Sequence, residues 1–266
     1  MMNLKRIKLK EDNISEWIVM SDDELQLNKA IKAGRIPIGI INSDLPCKSF
    51  AGIKFLVENP FEIEQRFYEN VVRRYKGYPL YISETERLSI RELGIGDVKN
   101  LYELYEIIDN KNVNIRYTKG EGSNNQVLDI DNLLEDGFLC DIKEQEEMLK
   151  AYIDTMYKIY GYGMWGVEDK NTREMVALVG FSICMYKEKQ YLQLSYRVRY
   201  DVRRKGYASE MITAILKYAK DDLKFEDILC IIKKDNVASI AVANKLGFDV
   251  IEKSQDKIYY RVIGKF

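Results

Sequence analysis

The sequence predicts an α/β chain: a small parallel α/β module over 1–82, then a mixed-sheet domain with flanking helices over 83–266. Three observations carry that reading. Tyr191–Tyr200 alternates as a half-buried strand does, with Leu192, Leu194, Tyr196 and Val198 on one face and Gln193, Ser195, Arg197 and Arg199 on the other. After a basic, glycine-containing turn, Ala208, Met211, Ile212, Ile215, Leu216 and Ala219 recur at the spacing of one helical stripe. Asp227–Lys233 is then an apolar run of strand length, and Asn236–Phe248 a short apolar helix closed by Gly247.

The remaining elements follow in order. Trp17–Met20 is a short strand ending at Ser21-Asp22-Asp23, a helix cap, and Leu27, Ala30 and Ile31 form the buried face of the helix that Gly34 ends. Ile36–Ile41 is a second strand, so a parallel crossover is expected. Lys54–Val57 gives another strand and Phe61–Tyr75 another helix, stopped by Gly77 and Pro79. This order resembles the C-terminal half of a haloacid-dehalogenase-like phosphatase domain, without the D-x-D strand that carries the nucleophile of that family. An accessory module is therefore expected, not a second enzyme. Beyond it come a strand at Arg87–Glu92 and a helix from Asp97 to Ile108 with Leu101, Leu104, Tyr105 and Ile108 inward. A polar stretch covers Asn110–Asp141, and a helix covers Ile142–Tyr160 with Leu149, Ile153 and Met156 buried. Strands follow at Gly163–Val167 and Met175–Met185, with closing strands at Val250–Glu252 and Ile258–Ile263.

Composition narrows the chemistry. With 41 Lys and Arg against 42 Asp and Glu, no global field favours nucleic acid or an anionic membrane. No apolar run is long enough to span a bilayer and the first residues form no signal peptide, so a cytoplasmic protein is expected. The four cysteines, Cys47, Cys140, Cys184 and Cys230, are far apart in sequence; Cys184 and Cys230 lie in apolar strands and read as reduced core residues. The chain contains no histidine. That removes Ser-His-Asp and Cys-His nucleophiles and the common histidine-based zinc sites, and no metal is expected. Proton transfer near neutral pH is left to carboxylates, tyrosines, lysines, thiols or water.

The turn Val202-Arg203-Arg204-Lys205-Gly206-Tyr207-Ala208 joins strand to helix with basic residues and a glycine. Its amides and the helix N-terminus suit a pyrophosphate. The R-x-x-G-x-A form resembles the Gln/Arg-x-x-Gly-x-Gly/Ala signature of GCN5-related N-acetyltransferases (GNAT). Asn236, Ser239, Lys245, Gly247 and Phe248 resemble the second signature of that family, and Glu84–Leu93 its first strand as found in RimJ/RimL-like members. The resemblance covers roughly the last two thirds of the chain. It implies the GNAT fold, acetyl-CoA as co-substrate and direct attack by an amine in a ternary complex. Pantetheine would pair with the edges of two splayed strands, Ser195–Arg199 and Leu229–Ile232. Val198, Val202, Arg203, Lys205, Gly206 and Ala208 map onto cofactor-contacting positions, Arg204 onto the adenosine 3′-phosphate, and Asn236 and Ser239 onto the pantetheine arm.

The catalytic groups depart from the family pattern. Gln193 stands where many relatives have Glu, and Ala243 where many have a tyrosine general acid. Gln193 cannot take a proton, so it is expected to orient water or the amine, with Ser195 on the same strand face positioning a water. On the acceptor side, the resemblance places Tyr157, Tyr160 and Tyr162 at a helix-to-strand junction bordering the cleft, with Trp165 as a core residue. Between Glu121 and Glu147 stand nine acids and one base, Lys143, a local charge of −8. That stretch is either a solvated loop with acids at a helix N-terminus or a funnel for a cationic acceptor. The expected activity is acetyl transfer to a small cationic amine. The alternatives are a protein N-terminal acetyltransferase and a non-catalytic acyl-CoA-binding regulatory module. A monomer or homodimer is expected, acting on a small-molecule or peptide amine.

Overall fold

Gly77 ends a helix in the left-handed conformation (φ 76°), and the chain divides shortly after it into two units, Met1–Leu80 and Tyr81–Phe266. The structure is a computed structural model and describes residues 3–9, 14–41, 50, 52–105 and 142–262.

The first unit contains β1 (Asn3–Leu9), β2 (Ile14–Ser21), α1 (Glu24–Lys32), β3 (Ile36–Ile40), β4 (Leu56–Val57) and α2 (Gln65–Lys76). Its sheet has the order β1-β2-β3-β4. β1 and β2 are antiparallel, whereas β2–β3 and β3–β4 are parallel, so the crossover through α1 is present. The Asp23 carboxylate accepts the Leu25 N–H at 2.9 Å and caps α1. Leu27 and Ala30 turn inward, but Ile31 is 40% exposed and is not part of the buried face. β1 was not expected: only Ile7 and Leu9 are buried among Lys5, Arg6 and Lys8, too short an alternation to register. α2 begins at Gln65 and not at Phe61. It buries Tyr68, Val71 and Val72 against Ile7, Leu9, Ile18, Met20, Ile36 and Ile38, so apolar burial between helix and sheet holds this unit together.

In the second unit one sheet has the order β11-β12-β10-β9-β8-β7-β6-β5. Its strands are β5 (Tyr81–Glu84), β6 (Leu88–Arg91), β7 (Met164–Asp169), β8 (Met175–Tyr186), β9 (Lys189–Val198), β10 (Ile228–Lys233), β11 (Asp249–Lys253) and β12 (Lys257–Val262). Neighbours are antiparallel except β9 and β10, which are parallel. The helices are α3 (Val98–Leu104), α4 (Ile142–Tyr152, continuing as π-helical turns over Ile153–Tyr160), α5 (Tyr207–Asp221) and α6 (Val237–Lys245).

Cross-strand partners share a face. Trp165 on β7 pairs with Val179 on β8, and its ring meets Phe181 and the α5 residue Tyr218 edge-on. α5 therefore covers that face. On the opposite face Arg197 of β9 lies over the ring of Tyr105, at the end of α3. Trp165 is fully buried, as expected for a core residue.

Candidate active site

β9 pairs with β10 only through Leu192↔Ile228 and Gln193↔Leu229. β9 continues to pair with β8 as far as Val198, and β10 pairs with β12 as far as Lys233. From Leu194 and Cys230 onward the two strands part, leaving a fork whose facing edges, Leu194–Val198 and Cys230–Lys233, no longer pair with each other. Leu229 is paired, so the β10 edge starts one residue later than expected; the β9 edge includes Leu194 and ends before Arg199.

β9 leads through a 3-10 turn (Tyr200–Val202) into Arg203-Arg204-Lys205-Gly206 and then α5. Arg204 and Gly206 both adopt the left-handed region (φ 64° and 84°). The first helical bond of α5 runs from Glu210 N–H to Gly206 C=O at 3.2 Å. The N–H groups of the turn before it have no helical partner, and they lie at the positive end of the helix dipole. Such a cradle of N–H groups at a helix start is an arrangement that suits an anion. Arg203, Arg204 and Lys205 are exposed around it, with Ala208 half-buried in the first turn. Val202 is buried, so its side chain belongs to the core and only its backbone is available to a ligand. Arg203 Nε donates to the Val198 carbonyl at 3.0 Å, laying the guanidinium along the β9 edge.

A polar network behind this loop was not expected. Glu210 Oε2 accepts from Arg87 Nε at 2.8 Å, and Arg87 Nη1 donates to the Lys205 carbonyl at 3.0 Å. Glu210 Oε1 accepts from Thr85 Oγ1 at 2.5 Å. The Tyr207 hydroxyl donates to Asp169, which also accepts the Asn171 N–H at 2.8 Å. The Tyr207 and backbone hydrogen bonds hold the Asp169 carboxyl below its usual range. These contacts join residues up to 125 positions apart, and nothing in the local pattern announces them.

Inside the fork, the Tyr196 hydroxyl is buried with no partner at full hydrogen-bond geometry, and Ser239 is the group that comes nearest to pairing with it. Its polar neighbours are Ser239 at the start of α6, Cys230 on β10 and Tyr260 on β12, and burial pushes its pKa up to about 12. Burial also raises the Cys230 thiol to about 12, which leaves it a protonated core residue. Asn236 caps α6, its Oδ1 accepting the Ser239 N–H at 3.1 Å. That carbonyl is thus engaged by the helix, and the amide NH2 is the side chain's remaining donor. Ala243 is buried and contributes no polar group.

On the other sheet face Gln193 Nε2 donates to Ser195 Oγ at 3.3 Å, which brings the two expected catalytic residues together. Ser182, the cross-strand partner of Gln193, is buried and extends this polar cluster; its lone position in an apolar strand gave no signal.

The expected aromatic wall does not assemble there. Tyr157 is a core residue: its hydroxyl donates to the Met164 carbonyl and accepts the Leu93 N–H at 3.1 Å, so it has nothing left for a substrate. Burial raises its pKa well above the usual value. Tyr162 packs edge-on against Phe225 at 5.3 Å, in a row that continues to Phe181 on the α5 face, away from Gln193 and Ser195. Tyr160 is 52% exposed beside it. Of the acid-rich stretch, Glu121, Asp129, Asp131, Glu135, Asp136 and Asp141 lie outside the described residues, as does the polar stretch before α4. Among the described residues, no group of three or more Cys, Asp or Glu side chains is placed to hold a metal ion, and no helix is long and apolar enough to cross a membrane.

A family model described as an acetyltransferase (GNAT) domain matches residues 87–249. The chain is 30% identical over 84 residues to the Bacillus subtilis (strain 168) protein named Uncharacterized N-acetyltransferase YoaA, covering 32% of this chain and 47% of that protein. It is 31% identical over 90 residues to Uncharacterized protein YkkB of the same organism, covering 34% and 52%. The chain thus spans about half the length of the curated relatives it matches. Among solved structures, one titled RimL, a ribosomal L7/L12 alpha-N-protein acetyltransferase, superposes with a TM-score of 0.51 at 17% identity, covering 70% of this chain and 95% of that one. A ribosomal-protein-S5-alanine acetyltransferase from Vibrio fischeri superposes with a TM-score of 0.50 at 14% identity, covering 69% and 97%.

Proposed function

The chain belongs to the GNAT acetyltransferase family, and from that premise we propose that it moves an acetyl group from acetyl-CoA to an amine. The fork between β9 and β10 carries this reading. Bound there, acetyl-CoA supplies an activated thioester. The parted edges at Leu194–Val198 and Cys230–Lys233 suit the amides of the pantetheine arm, and the buried Tyr196 hydroxyl beside Ser239 supplies a donor between them. The cradle at Arg204–Ala208 suits the pyrophosphate, and Arg203 and Lys205 add positive charge at its rim.

The acceptor amine approaches from the Gln193–Ser195 face. Gln193 orients it or a water, and the amine arrives already deprotonated, because neither side chain accepts a proton near neutral pH. Nitrogen attacks the thioester carbonyl, the C–S bond breaks, and the amine proton leaves to water while the thiolate takes one up. The acid excess between Glu121 and Glu147 supports a cationic acceptor.

Thiol release from acetyl-CoA, followed across polyamines, aminoglycosides, neutral amines and peptides with free N-termini, tests the reading. Turnover of a cationic small amine above the rest is expected. Turnover of peptides alone would make the chain a protein N-terminal acetyltransferase, and binding with no turnover of any amine a regulatory module.

A further inference from the structure

Arg87 precedes β6, far in sequence from the anion cradle, yet its guanidinium lies against it. Nη1 donates to the Lys205 carbonyl at 3.0 Å, Nε donates to Glu210 at 2.8 Å, and the group stacks 4.7 Å from the centre of the Tyr207 ring. A Cβ placed on Gly206 would come within 3.5 Å of Nη2. Two consequences follow from elementary geometry and charge. In a trans peptide the carbonyl oxygen and the next N–H point in opposite directions. Holding the Lys205 carbonyl toward Arg87 therefore turns the Gly206 N–H away from it and outward, into the cradle. Glu210 is the acid in the first turn of α5. A carboxylate there suits the helix dipole but repels an anion bound at the same helix end. The guanidinium offsets that charge at the point where it matters.

We propose that Arg87 is a positioning residue of the donor site, aiming the Gly206 N–H at the donor's pyrophosphate and neutralising Glu210 behind it. The inference rests on reading the fork and cradle as the acetyl-CoA site. Arg87 touches no reacting atom; it acts through the loop.

The test uses the full chain and two donors, acetyl-CoA and S-acetylpantetheine, which carries the thioester but no pyrophosphate. Arg87→Met should raise the coenzyme A Kd, by calorimetry, about tenfold or more, the size of one lost charge-assisted hydrogen bond. It should lower the preference for acetyl-CoA over S-acetylpantetheine, taken as the ratio of kcat/KM values, by about the same factor. Arg87→Lys restores charge without the forked geometry and should recover only part of the loss. Adding Glu210→Gln to Arg87→Met removes the exposed carboxylate and should tighten coenzyme A relative to the single variant, a coupling that simple loss of packing does not produce.

Unliganded melting curves establish that each variant is folded. If Arg87→Met falls apart, Arg87→Lys carries the test, through a loss on acetyl-CoA that S-acetylpantetheine does not share. Wild-type affinity in a folded Arg87→Met chain, or equal losses on both donors, would overturn the proposal. A wild-type chain that binds no coenzyme A would overturn the assignment of the site itself, a separate result read before any variant is made.

Discussion

Arg91 and Asp97 meet as a bidentate pair: Nη1 donates to Oδ2 at 2.7 Å and Nη2 to Oδ1 at 2.9 Å. Glu168 on β7 accepts from Arg91 Nε at 2.6 Å, and Asp97 accepts the Gly94 N–H at 2.7 Å. The arrangement ties the end of β6 to the turn that starts α3. Both side chains are mostly buried, and removing Asp97 leaves Arg91 with Glu168 as its remaining carboxylate.

Asp97→Asn should therefore destabilise the second unit by about 2 kcal/mol, the loss of charge-assisted hydrogen bonds to an Arg91 that Glu168 still compensates. Burial works against the Asp97 carboxylate, but the Arg91 bonds prevail and its pKa is lowered. A carboxyl depressed on folding stabilises the fold above its unfolded pKa of about 4 and loses that contribution as pH falls through the lower folded value. Melting temperature should be flat near neutrality and fall below about pH 4. The variant should show a shallower acid limb, and a limb as steep as wild type would contradict the assignment.

Tyr196→Phe removes a buried hydroxyl whose nearest partner, Ser239, is poorly placed, so the unliganded melting temperature should change little. The stabilisation by coenzyme A should shrink by about 1 kcal/mol, the net worth of one neutral hydrogen bond. Melts with and without coenzyme A measure both quantities. An unchanged ligand shift would remove Tyr196 from the donor site.

Gln193→Ala should cost no more than about tenfold in kcat, because an orienting group contributes less than a proton carrier. The rate should climb with pH along the titration of the acceptor amine itself, in wild type and variant alike. A bell-shaped profile whose lower limb disappears in the variant would show that Gln193 organises a base elsewhere.

Gly206→Val faces one obstacle. A left-handed φ of 84° is strained for any side chain, while the new Cβ would only touch Arg87, at 3.5 Å. A stability loss of about 1–2 kcal/mol is expected from the backbone. The coenzyme A shift should vanish, because relief of the left-handed φ misdirects the amide. A folded variant with a normal shift would sink the cradle.

Much of the second unit was legible in the sequence because its elements are long and their periods clean. The alternation of Leu192, Leu194, Tyr196 and Val198 and the stripe from Ala208 to Ala219 describe β9 and α5 within a few residues. The Asn236 cap and Gly247, left-handed at φ 71°, bracket α6. What was not legible depends on distance. Arg87, Thr85 and Glu210 meet only because β5, β6 and α5 pack together, and no local pattern records that. Tyr157 misled for the opposite reason: it sits in a run of aromatic residues, and sequence does not say which ring turns inward to satisfy the Leu93 and Met164 backbone. β1 escaped because its apolar positions are too few.

The parting of β9 and β10 has a consequence for assembly. Unpaired strand borders at the rim of a sheet are templates on which other chains add, and proteins blunt them with charge or cover. Here two such borders lie in the middle of the sheet, each locked on its far side by a full strand, β8 or β12. The template remains, but it faces a slot and not open water. A slender amide-bearing thread can be taken up as a provisional strand, whereas a polypeptide with side chains on both faces meets α5 and α6 on one side of that slot. Stickiness that elsewhere invites aggregation is here turned toward the interior of the sheet.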